Sequence, residues 1–268
     1  MYKYGFIGCG NMGGALVRAV AEDVDGGKIL VSDHDNEKTS ALALECGVAV
    51  ADNIKIASEC EYIFLGVKPQ MMSGMLEEIK DTLAKRKDNF VIVTMAAGLS
   101  IKTISDMCGA EYPTIRIMPN TPVSVGKGMI LYTANAKTTN EQTEEFVRDM
   151  SHAGIMDKLD EKMIDAACAL SGSGPAFVYM FIEALADGAV ECGLPCKNAL
   201  LYAAQTVLGS ASLVLESGKH PGELKDAVCS PGGTTIAGVH ALERGCFRAN
   251  AMDAVLAAYN KAKELGKK

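Results

Sequence analysis

The sequence predicts an α/β fold in which a doubly wound, mostly parallel sheet is followed by an all-helical domain. Short apolar, strand-like runs alternate with helical segments over residues 1–159, which is the order of βαβ units in a parallel sheet. After residue 160 the strand-like runs fade, and alanine-rich segments with helical period continue to the end of the chain. We therefore expect two domains, residues 1–159 and residues 160–268.

The first predicted strand leads directly into a glycine-rich turn. An apolar run over residues 4–7 precedes the pattern Gly8-x-Gly10-x-x-Gly13, and a helical pattern follows it. Dinucleotide binding requires this order, with glycines for the tight turn, for close approach of a pyrophosphate and for helix packing. The turn predicts a Rossmann-like domain that binds a dinucleotide cofactor, with a plain strand-to-helix turn as the alternative. The residues assigned to the loop are Gly8, Cys9, Gly10, Asn11, Met12 and Gly13.

The remaining elements follow from apolar periodicity. Further strands are predicted at 28–31, 48–50, 62–67, 90–95 and 114–118, with edge strands at 129–134 and 155–159. Helices between them are predicted at 36–46, 71–83, 100–108 and 141–152. The helical half is predicted to contain helices at 161–171, 175–192, 196–217, 222–228, 233–244 and 248–265. Their broad apolar faces are better hidden in a dimer than in a monomer.

Glycine, alanine, asparagine and proline residues follow the predicted strands. Ligands of open α/β sheets bind beyond the carboxyl ends of the strands, so we expect these residues to line a cofactor groove. Lys68 either reaches cofactor hydroxyls or phosphate, or is a solvated surface lysine. Arg116 is expected to support the turn at 118–122 rather than to take part in chemistry. The groove residues are Lys68, Pro69, Ala96, Ala97, Gly98, Met118 and Asn120.

Asp33 follows the second predicted strand, about 25 residues after Gly8, near the spacing at which an acid binds the adenosine ribose. A carboxylate there would repel a 2′-phosphate, and no arginine stands beside it in the sequence. Asp33 therefore favours NAD over NADP. The alternative is a turn or helix-capping aspartate ahead of Asn36.

A second constellation lies in the helical half, at residues 229–238. Pro231 and the paired glycines break one helix, and Thr234-Thr235 begin the next. Such a helix start offers unpaired N–H groups and hydroxyls, which suit a small carboxylate. A capped helix–helix turn explains the same pattern, and residues 170–175 form a second turn of this kind. These loops contain no strong acid, base or nucleophile, so a reductase here depends on placing a hydride donor.

The composition argues against several classes of protein. A net charge of −7 and the absence of tryptophan argue against a nucleic-acid surface. Nine cysteines and four histidines lack zinc-like spacing, so we expect no metal and reduced, mostly buried thiols. No run of about 18 charge-free apolar residues is present, and the N-terminus carries no basic-then-apolar leader. We therefore expect a cytoplasmic protein without a membrane span.

The long segment 221–243, which contains Ser230-Pro231-Gly232-Gly233-Thr234-Thr235, closely resembles the signature of pyrroline-5-carboxylate reductases. The segments Val67-Lys68-Pro69, Ala96-Ala97-Gly98, 116–122 and 170–175 also resemble blocks of that family, in its order. The resemblance runs from about residue 4 to residue 265. The C-terminal signature is specific, whereas the glycine turn alone is not.

The resemblance implies the last step of proline synthesis, in which NAD(P)H reduces 1-pyrroline-5-carboxylate to L-proline. It also implies a homodimer with exchanged helices, sometimes assembled into larger rings, in which one subunit's helical domain meets the other's cofactor domain. The Thr235 hydroxyl would hydrogen-bond the ring nitrogen as the catalytic group. The implied substrate residues are Ser230, Gly233, Thr234, Thr235 and Met118. The implied cofactor residues include Val67, Lys68, Pro69 and 118–121 at the nicotinamide and Asn53 at the adenosine end.

The chain departs from the family pattern at Asp33, and two alternative functions share parts of the pattern. Members that favour NADPH often carry a serine or another neutral or basic group where this chain has Asp33. A 3-hydroxyacid dehydrogenase shares the two-domain plan, but it calls for a lysine in the helical half that the loops here lack. A non-catalytic NAD(P)-sensing protein is the other alternative, and only the intact motif at 230–235 argues against it.

Overall fold

The computed structural model describes residues 2–265, and these residues contain one eight-stranded sheet. The strand order is β3-β2-β1-β4-β5-β6-β7-β8, and neighbours are parallel except for the antiparallel pair β6–β7. The strands are β1 (Tyr2–Ile7), β2 (Ile29–Ser32), β3 (Ala49–Val50), β4 (Cys60–Leu65), β5 (Val91–Thr94), β6 (Thr114–Met118), β7 (Gly128–Ala134) and β8 (Gly154–Lys158). The predicted doubly wound, mostly parallel sheet is confirmed.

Helices alternate with the first six strands and then continue alone after β8. They are α1 (Asn11–Val20), α2 (Asn36–Cys46), α3 (Asn53–Glu59), α4 (Pro69–Lys85), α5 (Ile101–Cys108), α6 (Asn140–Asp149), α7 (Ile164–Ser171), α8 (Gly174–Glu191), α9 (Cys196–Ser217), α10 (Pro221–Ala227), α11 (Thr234–Arg244) and α12 (Phe247–Leu265). The sequence did not predict α3, because seven residues with two buried positions, Ile56 and Ala57, are too few to show a helical period.

The sheet is buried on both faces, which is why its strands read as continuous apolar runs. Along β4, Tyr62 and Phe64 join the core beneath α1 and α6. Ile63 and Leu65 of the same strand join the core beneath α3, α4 and α5. This alternation follows from the two-residue period of a strand.

One face of the sheet carries an aromatic cluster with a polar edge. The rings of Tyr4 and Tyr62 stack with centroids 5.0 Å apart. The Tyr4 hydroxyl donates a hydrogen bond of 2.8 Å to Asp149 at the end of α6, and Lys3 lies 2.6 Å from the same carboxylate. Burial raises the pKa of Tyr4 well above its usual range, so the hydroxyl stays a donor. These contacts fix α6 to the centre of the sheet.

The chain forms two compact units. Among the described residues, one unit comprises 2–172 and 259–265, and the other is Ser173–Ala258. Helix α7 belongs to the first unit, because Ile164 packs with Met118 and Leu131 of the sheet. The division by contacts therefore falls after α7, and the predicted boundary at 159/160 stays a prediction.

The second unit is a helical array with a small core and large exposed apolar faces. Helices α8 and α9 pack through Ala186, Ala199 and Ala203, while Leu208 and Leu215 of α9 are 53% and 72% exposed. By length and composition alone, two helical stretches, Glu161–Glu191 and Cys196–Ser217, are apolar enough to cross a membrane. Helices that pack on a partner subunit show the same composition, and exposed patches of this size mark an interaction surface.

The prediction of mostly buried thiols is wrong for the helical half. Within residues 2–265 the nine cysteines are free, and three are buried: Cys9, Cys60 and Cys108. Three are partly buried, namely Cys46, Cys168 and Cys229, and three are exposed, namely Cys192, Cys196 and Cys246. The reason is that the second unit has little interior of its own in which to place them.

Replacing Tyr4 by phenylalanine removes the donor to Asp149. We expect a destabilisation of about 1–2 kcal/mol, because a buried carboxylate oxygen loses a partner. Scanning calorimetry measures the loss as a lower midpoint. The matched control is Tyr132→Phe, whose hydroxyl has no hydrogen-bond partner among the described residues; it should change stability by less than about 0.5 kcal/mol. Equal midpoints for the two variants would contradict the assignment.

Candidate functional site

The glycine loop lies over the carboxyl ends of β1, β2 and β4. The Gly8 N–H donates to Ser32 O, and the Gly66 N–H donates to Ile7 O, each at 2.7 Å. Gly8 has a φ of 99°, a conformation that residues with a Cβ rarely adopt. A Cβ on Gly13 would collide with the carbonyl oxygen of Gly8. The tight turn and the close helix packing predicted from the sequence are both present.

Gly66, which follows β4, was missed by the sequence analysis. A Cβ on Gly8 would lie 2.6 Å from the Gly66 carbonyl carbon, and a Cβ on Gly66 would collide with Gly8 O. The two backbones therefore approach each other with no room for a side chain. The available signal was a glycine at the end of a buried strand, which often marks a close backbone approach.

Two helices at this edge begin without a capping side chain. Neither α1, after Gly10, nor α4, after Lys68, has a side-chain cap or an acidic residue in its first turn. A Cβ on Gly10 would meet no protein atom within 4 Å, so the outer side of the loop is open. Uncapped N–H groups and the positive dipole end suit the phosphates of a dinucleotide. The α1 start therefore fits the cofactor that the glycine pattern predicts.

Asp33 is directed at the backbone of the glycine loop. Its Oδ2 accepts the Cys9 N–H at 2.7 Å, and its Oδ1 accepts the Asp35 N–H at 3.0 Å. The side chain is only 5% exposed. The turn-aspartate alternative is thus present in the structure, with the glycine loop as an additional partner that the sequence did not reveal. The ribose contact stays a prediction.

Cys9 contributes its backbone rather than its thiol to this loop. Its side chain is buried, with Sγ 3.6 Å from Ser32 O. Burial, with the charge of Asp33 beside it, raises the pKa of Cys9 to about 12. The thiol is therefore protonated at neutral pH and acts as a small apolar group.

A polar chain lies beside the loop at the end of β2. The Ser32 hydroxyl donates to Asn53 Oδ1 at 2.8 Å, and the Asn53 amide donates to Glu78 at 2.9 Å. Asn53, predicted to lie near the adenosine, is thereby held at the edge next to Asp33. The contact to a cofactor stays a prediction.

The remaining groove residues differ in exposure. Lys68 is exposed at the start of α4, with Pro69 in the first turn, which is compatible with either alternative given for this lysine. Ala96 is buried, whereas Ala97 and Gly98 are exposed in the turn after β5. Val67 is partly buried beside the core under α4.

Asn120 and Met118 are turned into the protein. The Asn120 amide donates to Ser171 O and its Oδ1 accepts the Met129 N–H, both at 2.9 Å. Met118 is 6% exposed and packs against Leu131. Their side chains shape the loop after β6, so any contact with a ligand falls to the backbone there.

Arg116 has a different role from the one predicted. The buried guanidinium lies 3.1 Å from Glu161 and 3.5 Å from Asp165. Glu161 also accepts the Ile101 N–H at 2.8 Å. Arg116 therefore links β6 to the segment that begins α7, rather than supporting the turn at 118–122.

The second unit contains the predicted carboxylate seat, at the start of α11. Gly233 is the N-cap residue, with no side-chain cap and no acid in the first turn of this 11-residue helix. The Gly233 N–H donates to Ser230 O at 3.0 Å, and a Cβ on Gly233 would collide with the Ser230 hydroxyl. Thr234 and Thr235 are exposed. Their N–H groups are available to an anion.

A sheet of this topology with an uncapped helix start above its glycine loop suits the pyrophosphate of a dinucleotide, and the family matches make the class that of NAD(P)-dependent oxidoreductases. Within residues 2–265 no cluster of three or more His, Cys, Asp or Glu side chains is suited to a metal ion. A family described as NADP oxidoreductase, coenzyme F420-dependent, matches residues 3–98. The description pyrroline-5-carboxylate reductase dimerisation matches residues 161–265.

The chain belongs to the pyrroline-5-carboxylate reductase family. It is 41% identical to the pyrroline-5-carboxylate reductase of Arabidopsis thaliana, covering 98% of this chain and 95% of that protein. Its identity to the Escherichia coli enzyme is also 41%, over 99% of this chain and 98% of that one. A solved pyrroline-5-carboxylate reductase from Coxiella burnetii has a TM-score of 0.90 at 34% identity and covers 98% of both chains. A Plasmodium falciparum pyrroline carboxylate reductase structure with NADP bound has a TM-score of 0.86 at 32% identity, over 99% and 98% of the two chains.

Replacing Asp33 by asparagine leaves one of two N–H groups without an acceptor, because an amide has a single carbonyl oxygen. We expect about 1–3 kcal/mol of destabilisation and weaker binding of NADH. Calorimetric melting and titration with NADH measure the two effects. Asp25→Asn is the matched control, since within residues 2–265 the Asp25 side chain accepts a single hydrogen bond, from the Gly27 N–H, and asparagine can still accept it. Unchanged melting and binding in Asp33→Asn would show that the loop does not depend on this carboxylate.

Proposed function

We propose that this chain reduces 1-pyrroline-5-carboxylate to L-proline, the reaction for which its family is named. NAD(P)H supplies the hydride, which adds to the imine carbon while the ring nitrogen keeps its proton and becomes an amine. A protonated imine is already electrophilic, so the protein need only bind and orient it. Orientation of this kind is worth up to about 7–11 kcal/mol.

The observation that carries the proposal is the uncapped start of α11 in a chain of this family. The substrate carboxylate is bound by the N–H groups of Thr234 and Thr235, where the helix dipole favours a negative charge. The Gly233 N–H, which the resemblance also implies for this role, is already donated to Ser230 O. Ser230 thereby holds the turn that exposes the two threonine N–H groups. This binding mode leaves the imine end of the ring free to meet the cofactor.

The Thr235 hydroxyl is the group that we assign to the ring nitrogen. It is exposed in the first turn of α11, one residue beyond Thr234. A hydroxyl both donates and accepts, so it can accept a hydrogen bond from the iminium N–H and orient the ring.

The cofactor is bound in the first unit. Its pyrophosphate lies at Gly10, Asn11 and Met12, where α1 begins without a cap. Its nicotinamide lies by Val67, Lys68 and Pro69 and by the turn after Met118. Its adenosine lies towards Asp33 and Asn53, and the exposed turn of Ala97 and Gly98 borders the groove.

The chain works as a homodimer with exchanged helices, in which the exposed faces of α8 and α9 are covered by a second copy. The match of residues 161–265 to a dimerisation family supports this assembly, as does the exposure of large apolar side chains. Further association into a ring extends the same contacts. We place this enzyme in the cytoplasm.

The activity test follows oxidation of the reduced cofactor with 1-pyrroline-5-carboxylate and identifies proline as the product. We expect Thr235→Ala to lower kcat by about 10–100-fold, the loss of a hydrogen bond to a charged group, with nearly unchanged cofactor affinity. Thr235→Ser keeps the hydroxyl and should restore most of the rate. Thr143→Ala on α6, whose hydroxyl bonds to Thr139 O, is the control.

Turnover of 3-hydroxyacids but not of the imine would overturn the proposed reaction. Cofactor binding with no turnover of either substrate would favour the non-catalytic alternative. A Thr235→Ala variant with the rate of the Thr143→Ala control would refute the role of this hydroxyl alone.

The assembly is tested by placing a charge on the exposed face of α9. Leu208→Asp should shift the chain from dimer to monomer in light scattering, because a carboxylate is not tolerated in an apolar interface. Leu44→Asp is the matched control, since Leu44 is 91% exposed on α2 of the first unit. If both variants stay dimeric, this face of α9 is not the interface.

A further inference from the structure

The loops that follow strands β5 and β6 are both tied to the segment that ends in α7. Strands β5 and β6 are parallel neighbours, so their carboxyl ends lie at the same edge of the sheet as the glycine loop. The segment from Glu161 to Ser171 consists of a short turn and α7. It belongs to the same compact unit as the sheet, so its contacts with the two loops are internal to that unit.

The end of α7 holds the loop after β6. The Asn120 amide donates to Ser171 O, and its Oδ1 accepts the Met129 N–H near the start of β7, both at 2.9 Å. Asn120 is 9% exposed, so little water is available to replace either partner. An amide makes both bonds at once because it carries a donor and an acceptor. The side chain therefore joins the loop to β7 and to the last turn of α7.

The start of the segment holds the chain after β5. Glu161 Oε1 accepts the Ile101 N–H at 2.8 Å and lies 3.1 Å from Nη1 of Arg116. Ile101 begins α5, three residues after Gly98, and its N–H is one of those that a helix leaves without an intrahelical partner. Glu161 thus fixes the point at which the exposed turn of Ala97 and Gly98 passes into α5.

Arg116 makes the contact with Glu161 depend on charge. Arg116 is 4% exposed on β6, and its Nε has no hydrogen-bond partner among the described residues. Its cation is balanced by the carboxylates of Glu161 and Asp165, at 3.1 and 3.5 Å. Removing the partner of a buried charge is strongly unfavourable, so this link is firm. The segment is therefore tied to β6 at its start and to the loop after β6 at its end.

We infer that Asn120 and Glu161 are positioning residues of the proposed reaction, which hold the two loops beside the nicotinamide against the α7 segment. Asn120, predicted as a cofactor contact, acts through the backbone that follows Met118, and Glu161 acts through the start of α5. Hydride transfer depends on such support, because a misplacement of about 1 Å lowers a rate by about 100-fold. The inference rests on the proposed function, which places the nicotinamide by these loops.

The first test replaces Asn120 by aspartate, which keeps an acceptor for the Met129 N–H and loses the donor to Ser171 O. We expect kcat for 1-pyrroline-5-carboxylate to fall by about 10–100-fold at saturating NADH or NADPH. The isotope effect on kcat should rise when the transferred hydrogen of the cofactor is deuterium. Because an isotope effect does not depend on the fraction of folded enzyme, a purely structural defect leaves it unchanged.

Asn135→Asp is the matched control. The Asn135 amide also donates to a backbone carbonyl oxygen, Tyr112 O at 2.7 Å, and accepts a backbone N–H, that of Thr114 at 3.1 Å. It follows β7, which is antiparallel to β6, so it lies at the opposite edge of the sheet from the cofactor groove. We expect this variant to melt at a lower temperature, as Asn120→Asp does, but to keep the kcat and the isotope effect of the wild type.

A change of pH tests the lost donor directly. The introduced carboxyl group donates again when it is protonated, and burial raises its pKa above the usual value of about 3.9. The ratio of kcat between Asn120→Asp and the wild type should therefore rise as the pH falls from about 8 to about 5.5. A ratio that is the same at both pH values would contradict the role of the hydrogen bond to Ser171.

Glu161→Gln is the second variant, and it disturbs the fold less because the Glu161 side chain is 33% exposed. The amide oxygen still accepts one N–H, while the charge that balances Arg116 is lost. We expect a smaller fall in kcat than for Asn120→Asp, again with a raised isotope effect. Glu145→Gln on α6 is its control, since the Glu145 side chain is 29% exposed and also accepts two groups, from Tyr62 and Lys3. This control should keep the isotope effect of the wild type.

Fluorescence of the bound reduced cofactor, measured without the imine, separates this inference from the proposed function. We expect lower anisotropy of the nicotinamide fluorescence in Asn120→Asp and Glu161→Gln than in the wild type and the two controls. A chain that shows this difference but does not reduce 1-pyrroline-5-carboxylate would refute the reaction and leave the positioning of the loops standing. A chain that reduces the imine, with both variants equal to their controls in isotope effect and anisotropy, would overturn the inference alone.

Discussion

The first unit depends on the contact between two backbones without side chains, at Gly8 and Gly66. Strands β1 and β4 are neighbours, and each is followed by a glycine. The two glycine backbones lie so close together that a Cβ on either one would collide with the other. This contact lets the loop turn over the strand ends and start α1 directly above them. The hydrogen bonds of Gly8 to Ser32 and of Gly66 to Ile7 then lock the turn. A methyl group at either glycine would move α1, and with it the helix start that suits a pyrophosphate.

The N-termini of the helices differ in their charge and capping, and this difference decides which of them favour anions. The starts of α1, α4 and α11 have no side-chain cap and no acid in the first turn, so they favour anions. The start of α2 is capped by Asp35 and has Glu37 in its first turn, so this helix start does not favour anions. A helix N-terminus therefore either attracts or repels an anion, depending on its capping side chain. A separate point is that a reaction that depends on placing a hydride donor needs no buried general acid or base.

The helical unit shows how a small core can coexist with long, strongly apolar helices. Alanines at the contact of α8 and α9 permit close packing but bury little area, and the leucines of α9 remain exposed. Such a surface is stable in water only when it is covered. The match of this region to a dimerisation family indicates that a second copy of the chain covers these apolar faces. The two helical stretches that are long and apolar enough to cross a membrane owe their composition to the same need for cover.

The sequence by itself determined the alternating sheet, the change to helices near residue 160 and the glycine loop, because each is a local pattern of apolar period or missing side chains. It also located the helix start at Thr234, whose glycines and threonines are contiguous. Only the tertiary structure decided the distant partners of Asp33, Asn120 and Arg116, since each has a hydrogen bond to a residue 24 to 51 positions away. Which distant group a polar side chain hydrogen-bonds depends on the positions of the surrounding elements, and these positions are set by tertiary packing. For the same reason the sequence did not reveal the role of Gly66 or the presence of α3, because both depend on contacts with neighbouring elements of the fold.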